Sequence, residues 1–195
     1  MNPRTGDALL VVDLQNDFCE GGALEVAGAA HILPVVNALI ADFERAGAPV
    51  ILTRDWHPSD HSSFASQGGP WPVHCVAGTI GAAFHPALRV PESAWVVSKG
   101  VGHEGPGYSP FETPDLAAQL RAMEVRRVLV VGLATDYCVR AAALDAVREG
   151  WEVVVVGDAV RGVEAHPGDV ARACDELRAA GVRWWTSAED AGGFQ

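Results

Sequence analysis

Short, nearly uninterrupted apolar runs alternate along this chain with segments whose apolar residues recur every three or four positions. The runs are Ala8–Leu14 (ALLVVDL), Ala48–Asp55 (APVILTRD), Ala94–Gly100 (AWVVSKG), Arg126–Leu133 (RRVLVVGL), Glu152–Val160 (EVVVVGDAV) and Val182–Ser187 (VRWWTS). Their length and their valine content predict strands. Between them, Ala29–Gly47 places Leu33, Val36, Leu39, Ile40 and Phe43 on one helical face, with Pro34 in its first turn and Gly47 at its end. Thr113–Met123 reads as a helix with Thr113 as N-cap and Pro114 at the first helical position. Asp136–Gly150 carries Val139, Ala142, Ala143 and Val147 on one side, and Asp169–Gly181 is a further helix. The stretch from Trp56 to about Pro91 reads as a long loop.

Strands that are apolar on both faces and separated by helices indicate a buried parallel sheet. The expected fold is therefore α/β: a three-layer α/β/α sandwich, Rossmann-like, with about six strands, mostly parallel, in a single domain over residues 1–195. Sheets of this kind bind ligands outside the carboxyl ends of their strands. The residues that follow each strand are thus the first place to look for chemistry.

Composition narrows the partners. The chain has 195 residues, 49% of them hydrophobic and 20% charged, with a formal net charge of −11. A nucleic-acid binder needs a basic surface, which this balance disfavours. No apolar run reaches the roughly 18 residues of a membrane span. The first apolar run is short and ends at Asp13, unlike a secretory signal, so a cytoplasmic location is expected. In that setting Cys19, Cys75, Cys138 and Cys174 read as reduced thiols. No exposed patch in the sequence decides the oligomeric state, and a homo-oligomer stays open.

The first strand is followed by Asp13, the second by Asp55, His57 and His61, the third by Lys99 and the fourth by Cys138. Cys138 stands at the start of a helix, where unpaired N–H groups and partial positive charge favour a thiolate. The same N–H groups can stabilise an oxyanion once the sulfur attacks a carbonyl. Taken alone, Cys138 reads equally well as a small buried hydrophobe. Asp13 can serve as proton acceptor and donor, and Lys99 can bias the charge of either neighbour. Singly, the first is as readily a turn residue and the second a solvated lysine.

In DWHPSDH, Asp55 and His57 share one face of an extended segment and His61 returns after a proline turn. With His74 in WPVHC, three of the seven histidines fall within 18 residues. One carboxylate with two or three imidazoles suits a divalent ion such as zinc, iron or manganese. Asp60 lies between them as a bystander or an outer partner. Cys75 and Cys19 are rival nucleophiles without a strand-to-helix elbow, Cys174 reads as core, and no C-x-x-C pair supports redox chemistry.

Together VVDLQNDFCEGGAL, TRDWHPSDHSSF, WPVHCVAGTIGAAFHPAL, SKG and VGLATDYCVRAAALDA resemble the nicotinamidases of the isochorismatase-like cysteine hydrolase superfamily. The resemblance runs from about Ala8 to Val163 in the same order. It implies a catalytic triad of Asp13, Lys99 and Cys138, and a metal held by Asp55, His57, His61 and His74, zinc first among the candidates. It also implies a cis peptide between Leu133 and Ala134, with an oxyanion hole formed by the Ala134 and Cys138 amides. Phe18, Trp71 and Tyr108 would wall a ring pocket bordered by Leu133, Ala134 and Tyr137. The implied reaction is hydrolysis of nicotinamide, with pyrazinamide a further candidate, in NAD salvage. Tyr137 stands where relatives often carry histidine, which puts substrate range rather than chemistry in doubt. Two other readings are an amidohydrolase of the N-carbamoyl amidase type, whose relatives lack this metal set, and a non-catalytic metal-binding domain.

Overall fold

The computed structural model describes residues 3–103, 105 and 107–186. Six strands form one sheet: β1 (Asp7–Val12), β2 (Val50–Asp55), β3 (Trp95–Lys99), β4 (Arg127–Leu133), β5 (Glu152–Arg161) and β6 (Arg183–Trp185). Their spatial order is β3-β2-β1-β4-β5-β6, and every neighbouring pair is parallel. The helices are α1 (Leu33–Ala46), α2 (Pro114–Ala122), α3 (Cys138–Arg148) and α4 (Asp169–Ala179).

The alternation of side chains along β1 assigns the two faces. Leu9 and Val11 pack with Leu33, Val36, Leu39, Ile40 and Phe43 of α1. Ala8, Leu10 and Val12 pack on the other face with Leu116 and Leu120 of α2, Val139, Ala142, Ala143 and Ala146 of α3, and Leu177 of α4. All residues of β1 and β4 are buried, as strands covered on both sides must be. Where β4 passes β1, Gly132 (φ +108°) leaves no room for a side chain: a Cβ there would lie 2.0 Å from the Val12 carbonyl oxygen.

Several details differ from the sequence reading. The first helix is preceded by a 3-10 turn over Ala29–Ile32, because Pro34 fits only the start of an α-helix. Thr113 precedes α2 without capping it; its hydroxyl donates instead to the Pro110 carbonyl, 2.5 Å away. The third helix is shorter than expected and begins at Cys138 itself. Ala146 rather than Val147 completes its buried face. β5 runs on to Arg161, Cys174 is only half-buried, and β6 is a three-residue strand. Ser187, expected to end β6, lies outside the described residues. No helix among the described residues is long and apolar enough to cross a membrane.

In a parallel sheet the binding crevice opens where strand order reverses. Here that point lies between β1 and β4, whose carboxyl ends deliver Asp13 and, five residues beyond Leu133, Cys138.

Candidate active site

Asp13, Lys99 and Cys138 come from three strand ends and meet below the crevice, all buried. Lys99, 1% exposed, has three N–H donors and three acceptors for them: the Asp55 carboxylate, the Gly107 carbonyl at 3.1 Å and Cys138 Sγ at 3.3 Å. Its Nζ also lies 2.8 Å from Asp13 Oδ2, as an ion pair without an aligned hydrogen bond. Asp13 Oδ1 accepts from the Thr53 hydroxyl at 2.6 Å. An Asp13 carboxylate oxygen lies within 4.8 Å of Cys138 Sγ.

The two carboxylates around Lys99 are driven in opposite directions. Burial raises the Asp13 pKa above the ordinary value, against the pull of Lys99. For Asp55, burial is outweighed by Lys99 and by His57, which hold its carboxyl well below the usual range. Two acids pushed apart in this way divide the work between a proton carrier and a permanent anion. Burial lowers the affinity of Lys99 for its proton, yet its two anionic neighbours more than reverse this, so the amine stays charged. Burial also pushes the Cys138 thiol up, with Lys99 pulling the other way. The resting thiol therefore keeps its proton, and an acceptor must take it before the sulfur can attack.

The backbone around the sulfur is set for a developing negative charge. The Leu133–Ala134 peptide is cis. The Ala134 carbonyl accepts from the Tyr137 and Val139 amides, whereas the Ala134 and Cys138 N–H groups have no partner among the described residues. Unpaired donors beside a nucleophile are the parts of an oxyanion hole.

Beside this cluster, Asp55, His57 and His74 place one ligand atom each within 4.8 Å of one another. His57 Nδ1 donates to the Gly100 carbonyl at 2.9 Å and His74 Nδ1 to the Pro72 carbonyl at 2.8 Å. Each bond turns the Nε2 lone pair inward, the arrangement by which outer partners orient metal-binding imidazoles. His61 stacks on His57 with ring centroids 4.1 Å apart, and its Nδ1 lies 2.7 Å from Ser63 Oγ. Its Nε2 is buried without a partner, which a bound ion would relieve. His61 lies outside the compact trio and stacks on its His57 member. Burial, reinforced by His57, pushes the His61 pKa down to about 4, and burial also lowers that of His74. Both rings are thus neutral near pH 7, the form that binds metal. One carboxylate with three imidazoles fits a divalent ion.

A pocket lies over the sulfur and beside the histidines. Phe18, Trp71, Tyr108, Leu133, Ala134, Tyr137 and Cys138 line it, together with Asp55 and His74. The Trp71 indole N–H donates to the Tyr108 hydroxyl at 3.0 Å, and Tyr137 packs on both rings with centroids 5.0 and 5.5 Å away. Such a slot takes a flat, largely apolar ring with a few polar atoms.

Other participants escaped the sequence reading. Leu24, Val26 and Val163 also line the pocket, although loop apolar residues carry no periodicity to betray them. Phe64 packs against His57, His61 and His74 with centroids 5.4–5.7 Å apart. Buried Gln15 holds Asp55 from both sides, accepting from its N–H and donating to its carbonyl, each at 2.8 Å. An Asp17 oxygen accepts from the Cys75 N–H at 2.6 Å, and the Cys75 carbonyl accepts from the His57 N–H. Cys75 is itself wholly buried with its pKa pushed far up by burial, which makes it inert as a rival thiol.

A parallel sheet whose switch point gathers a buried thiol, an ammonium and a carboxylate defines a hydrolase of the cysteine type. Residues 7–189 match the isochorismatase domain, and the chain belongs to that family. It is 41% identical to the nicotinamidase of Escherichia coli K12, over 97% of each chain. To the nicotinamidase/pyrazinamidase of Mycobacterium tuberculosis it is 42% identical, over 90% of this chain and 96% of that one. Among solved structures, a pyrazinamidase of Pyrococcus horikoshii in complex with zinc superposes with a TM-score of 0.88. The two share 46% identity, and the match covers 93% of this chain and 99% of that one.

Proposed function

We propose that this chain is a nicotinamidase, hydrolysing nicotinamide to nicotinate and ammonia through a thioester on Cys138. The observation that carries the reading is the Cys138–Lys99–Asp13 cluster opening into an aromatic slot that the Asp55 and His74 ligand atoms close. Asp55, His57, His61 and His74 would hold the metal, most simply zinc. When bound, that ion supplies a Lewis-acidic anchor for the pyridine nitrogen.

The steps at the chain's own atoms follow from the geometry. The slot between Trp71, Tyr137 and Phe18 holds the ring flat, which fixes the carboxamide over Cys138. Asp13, with a carboxylate oxygen within 4.8 Å of the sulfur, takes the thiol proton. The ammonium of Lys99, 3.3 Å away, offsets the charge left on sulfur. As the sulfur–carbon bond forms, the carbonyl oxygen becomes an oxyanion between the Ala134 and Cys138 amides. Asp13 returns the proton to the departing nitrogen, and the carbon–nitrogen bond breaks to release ammonia. A water then gives a proton to Asp13 and its oxygen to the acyl carbon. The thioester opens, nicotinate leaves and the thiol is restored. On this reading the enzyme serves NAD salvage in the cytoplasm and takes pyrazinamide through the same ring contacts.

Ammonia release from nicotinamide by the zinc-loaded protein tests the proposal beside Cys138→Ala. Release that disappears in the variant is expected. Release that persists would remove Cys138 as nucleophile. An inactive wild type that cleaves carbamoyl compounds would replace the nicotinamidase reading with an N-carbamoyl amidase.

A further inference from the structure

One buried carboxylate near the nucleophile takes no part in these steps. Asp136 lies two residues before Cys138, in the turn between β4 and α3, and is 7% exposed. Its oxygens face the segment after β5: Oδ1 accepts from the Val163 N–H at 2.9 Å and Oδ2 from the Glu164 N–H at 2.8 Å. The adjoining Thr135 N–H donates to the Arg161 carbonyl at 2.9 Å, so three bonds clamp the turn to residues 161–164. The clamped segment is closely packed at Gly162. A Cβ at Gly162 would lie 2.2 Å from Val170 Cγ2 and 3.0 Å from Asp136 Oδ1. Glu164 then accepts from the Gly168 and Val170 N–H groups at 2.5 and 2.8 Å, which ties the segment to the start of α4.

We infer that Asp136 is a positioning residue that sets the nucleophile against its pocket. Its carboxylate holds the Cys138 turn and the Val163 wall in one frame, so the gap between sulfur and bound amide is fixed by these two bonds. A carboxylate suits the place because both oxygens must accept from backbone N–H groups at once. Asparagine would turn an NH2 toward one of those donors. The inference rests on the reading of Cys138 as nucleophile, but its effect on the thiol is independent of the substrate.

The test compares wild type, Asp136→Asn and Glu164→Gln, all zinc-loaded. It measures kcat and KM for nicotinamide, the rate of Cys138 alkylation by iodoacetamide followed by peptide mass mapping, and Tm. A misplacement of about 1 Å at a reacting atom costs about 100-fold. Asp136→Asn should therefore lower kcat about 30- to 100-fold and slow alkylation about tenfold, with KM changed less than about threefold. Glu164→Gln weakens the α4 end of the strap and leaves the Asp136 carboxylate in place, so it should lower Tm and lower kcat much less than Asp136→Asn does. Asp136→Glu keeps two acceptor oxygens but shifts the turn by a methylene, and serves if the asparagine variant does not fold; the same fall in kcat is expected. Wild-type kcat and alkylation rate in a folded Asp136 variant would overturn the inference, as would equal kcat losses in Asp136→Asn and Glu164→Gln. If wild type released no ammonia while Asp136→Asn still slowed alkylation, the nicotinamidase reading would fall and the positioning role would stand.

Discussion

Lys99→Met removes one charge from a site built around it. The ammonium is 1% exposed and sits 2.8 Å from Asp13, against Asp55 and 3.3 Å from Cys138. At an effective dielectric of about 20, a pair at that Asp13 distance attracts by about 6 kcal/mol before desolvation is counted. Much of this is offset by the cost of burying the lysine, and removing one partner of a buried pair typically costs about 3–5 kcal/mol. For a chain of this length that is a Tm fall of roughly 10–15 °C. The variant leaves Asp13 and Asp55 facing each other with oxygens within 4.8 Å. At least one must then titrate above its unfolded value of about 3.9. A raised folded pKa contributes stability below the unfolded pKa and loses it as pH rises through the folded one. The deficit relative to wild type should accordingly be larger at pH 8 than at pH 5. Loss of a donor that stabilises reacting charge costs about 100- to 1,000-fold, so kcat should fall by at least that much. Urea denaturation at both pH values and ammonia release at pH 7.5 provide the assay. A variant as stable as wild type at pH 8, or with kcat within tenfold of it, would refute this account of Lys99.

Two further expectations concern the histidines. Gly100 (φ +60°) has room for no side chain, since a Cβ would lie 2.3 Å from His57 Cε1. Gly100→Ala should destabilise the fold by about 2 kcal/mol or more and reduce bound zinc, measured by elemental analysis after loading and gel filtration. Full zinc content would show that His57 tolerates displacement. In metal-free protein the folded His61 pKa is about 4, against the ordinary 6.5. Its depression favours the fold above 6.5 and is lost as pH falls through about 4, because the unfolded chain binds the proton first. Wild type should therefore lose stability relative to His61→Gln between pH 7 and pH 4.5. A difference that stays constant across that range would contradict the buried, neutral state of His61.

The α/β alternation, the helix faces and the strand ends were legible in the sequence because each is local. Leu33, Val36, Leu39, Ile40 and Phe43 declare their shared face by spacing alone. The valine runs declare burial on both sides, and Gly47 (φ +67°) marks the end of α1. Motif order was likewise enough to single out Asp13, Asp55, Lys99 and Cys138 as the residues that follow strands. Their encounter was not local. Lys99 meets Cys138 across 39 positions, and Gln15 meets Asp55 across 40. Such contacts exist only once the sheet has brought these strand ends to one rim. The sequence likewise carries no sign that Asp136 clamps residues 163 and 164, or that Leu24 and Val26 reach the pocket. Nor does it tell which of two neighbouring carboxyls keeps its charge. Asp13 and Asp55 are the same residue type, and only burial and the positions of Lys99 and His57 drive them apart. Spacing along a chain sets which side chains share a face, whereas desolvation and Coulomb energy depend on distances that exist only after the sheet has formed.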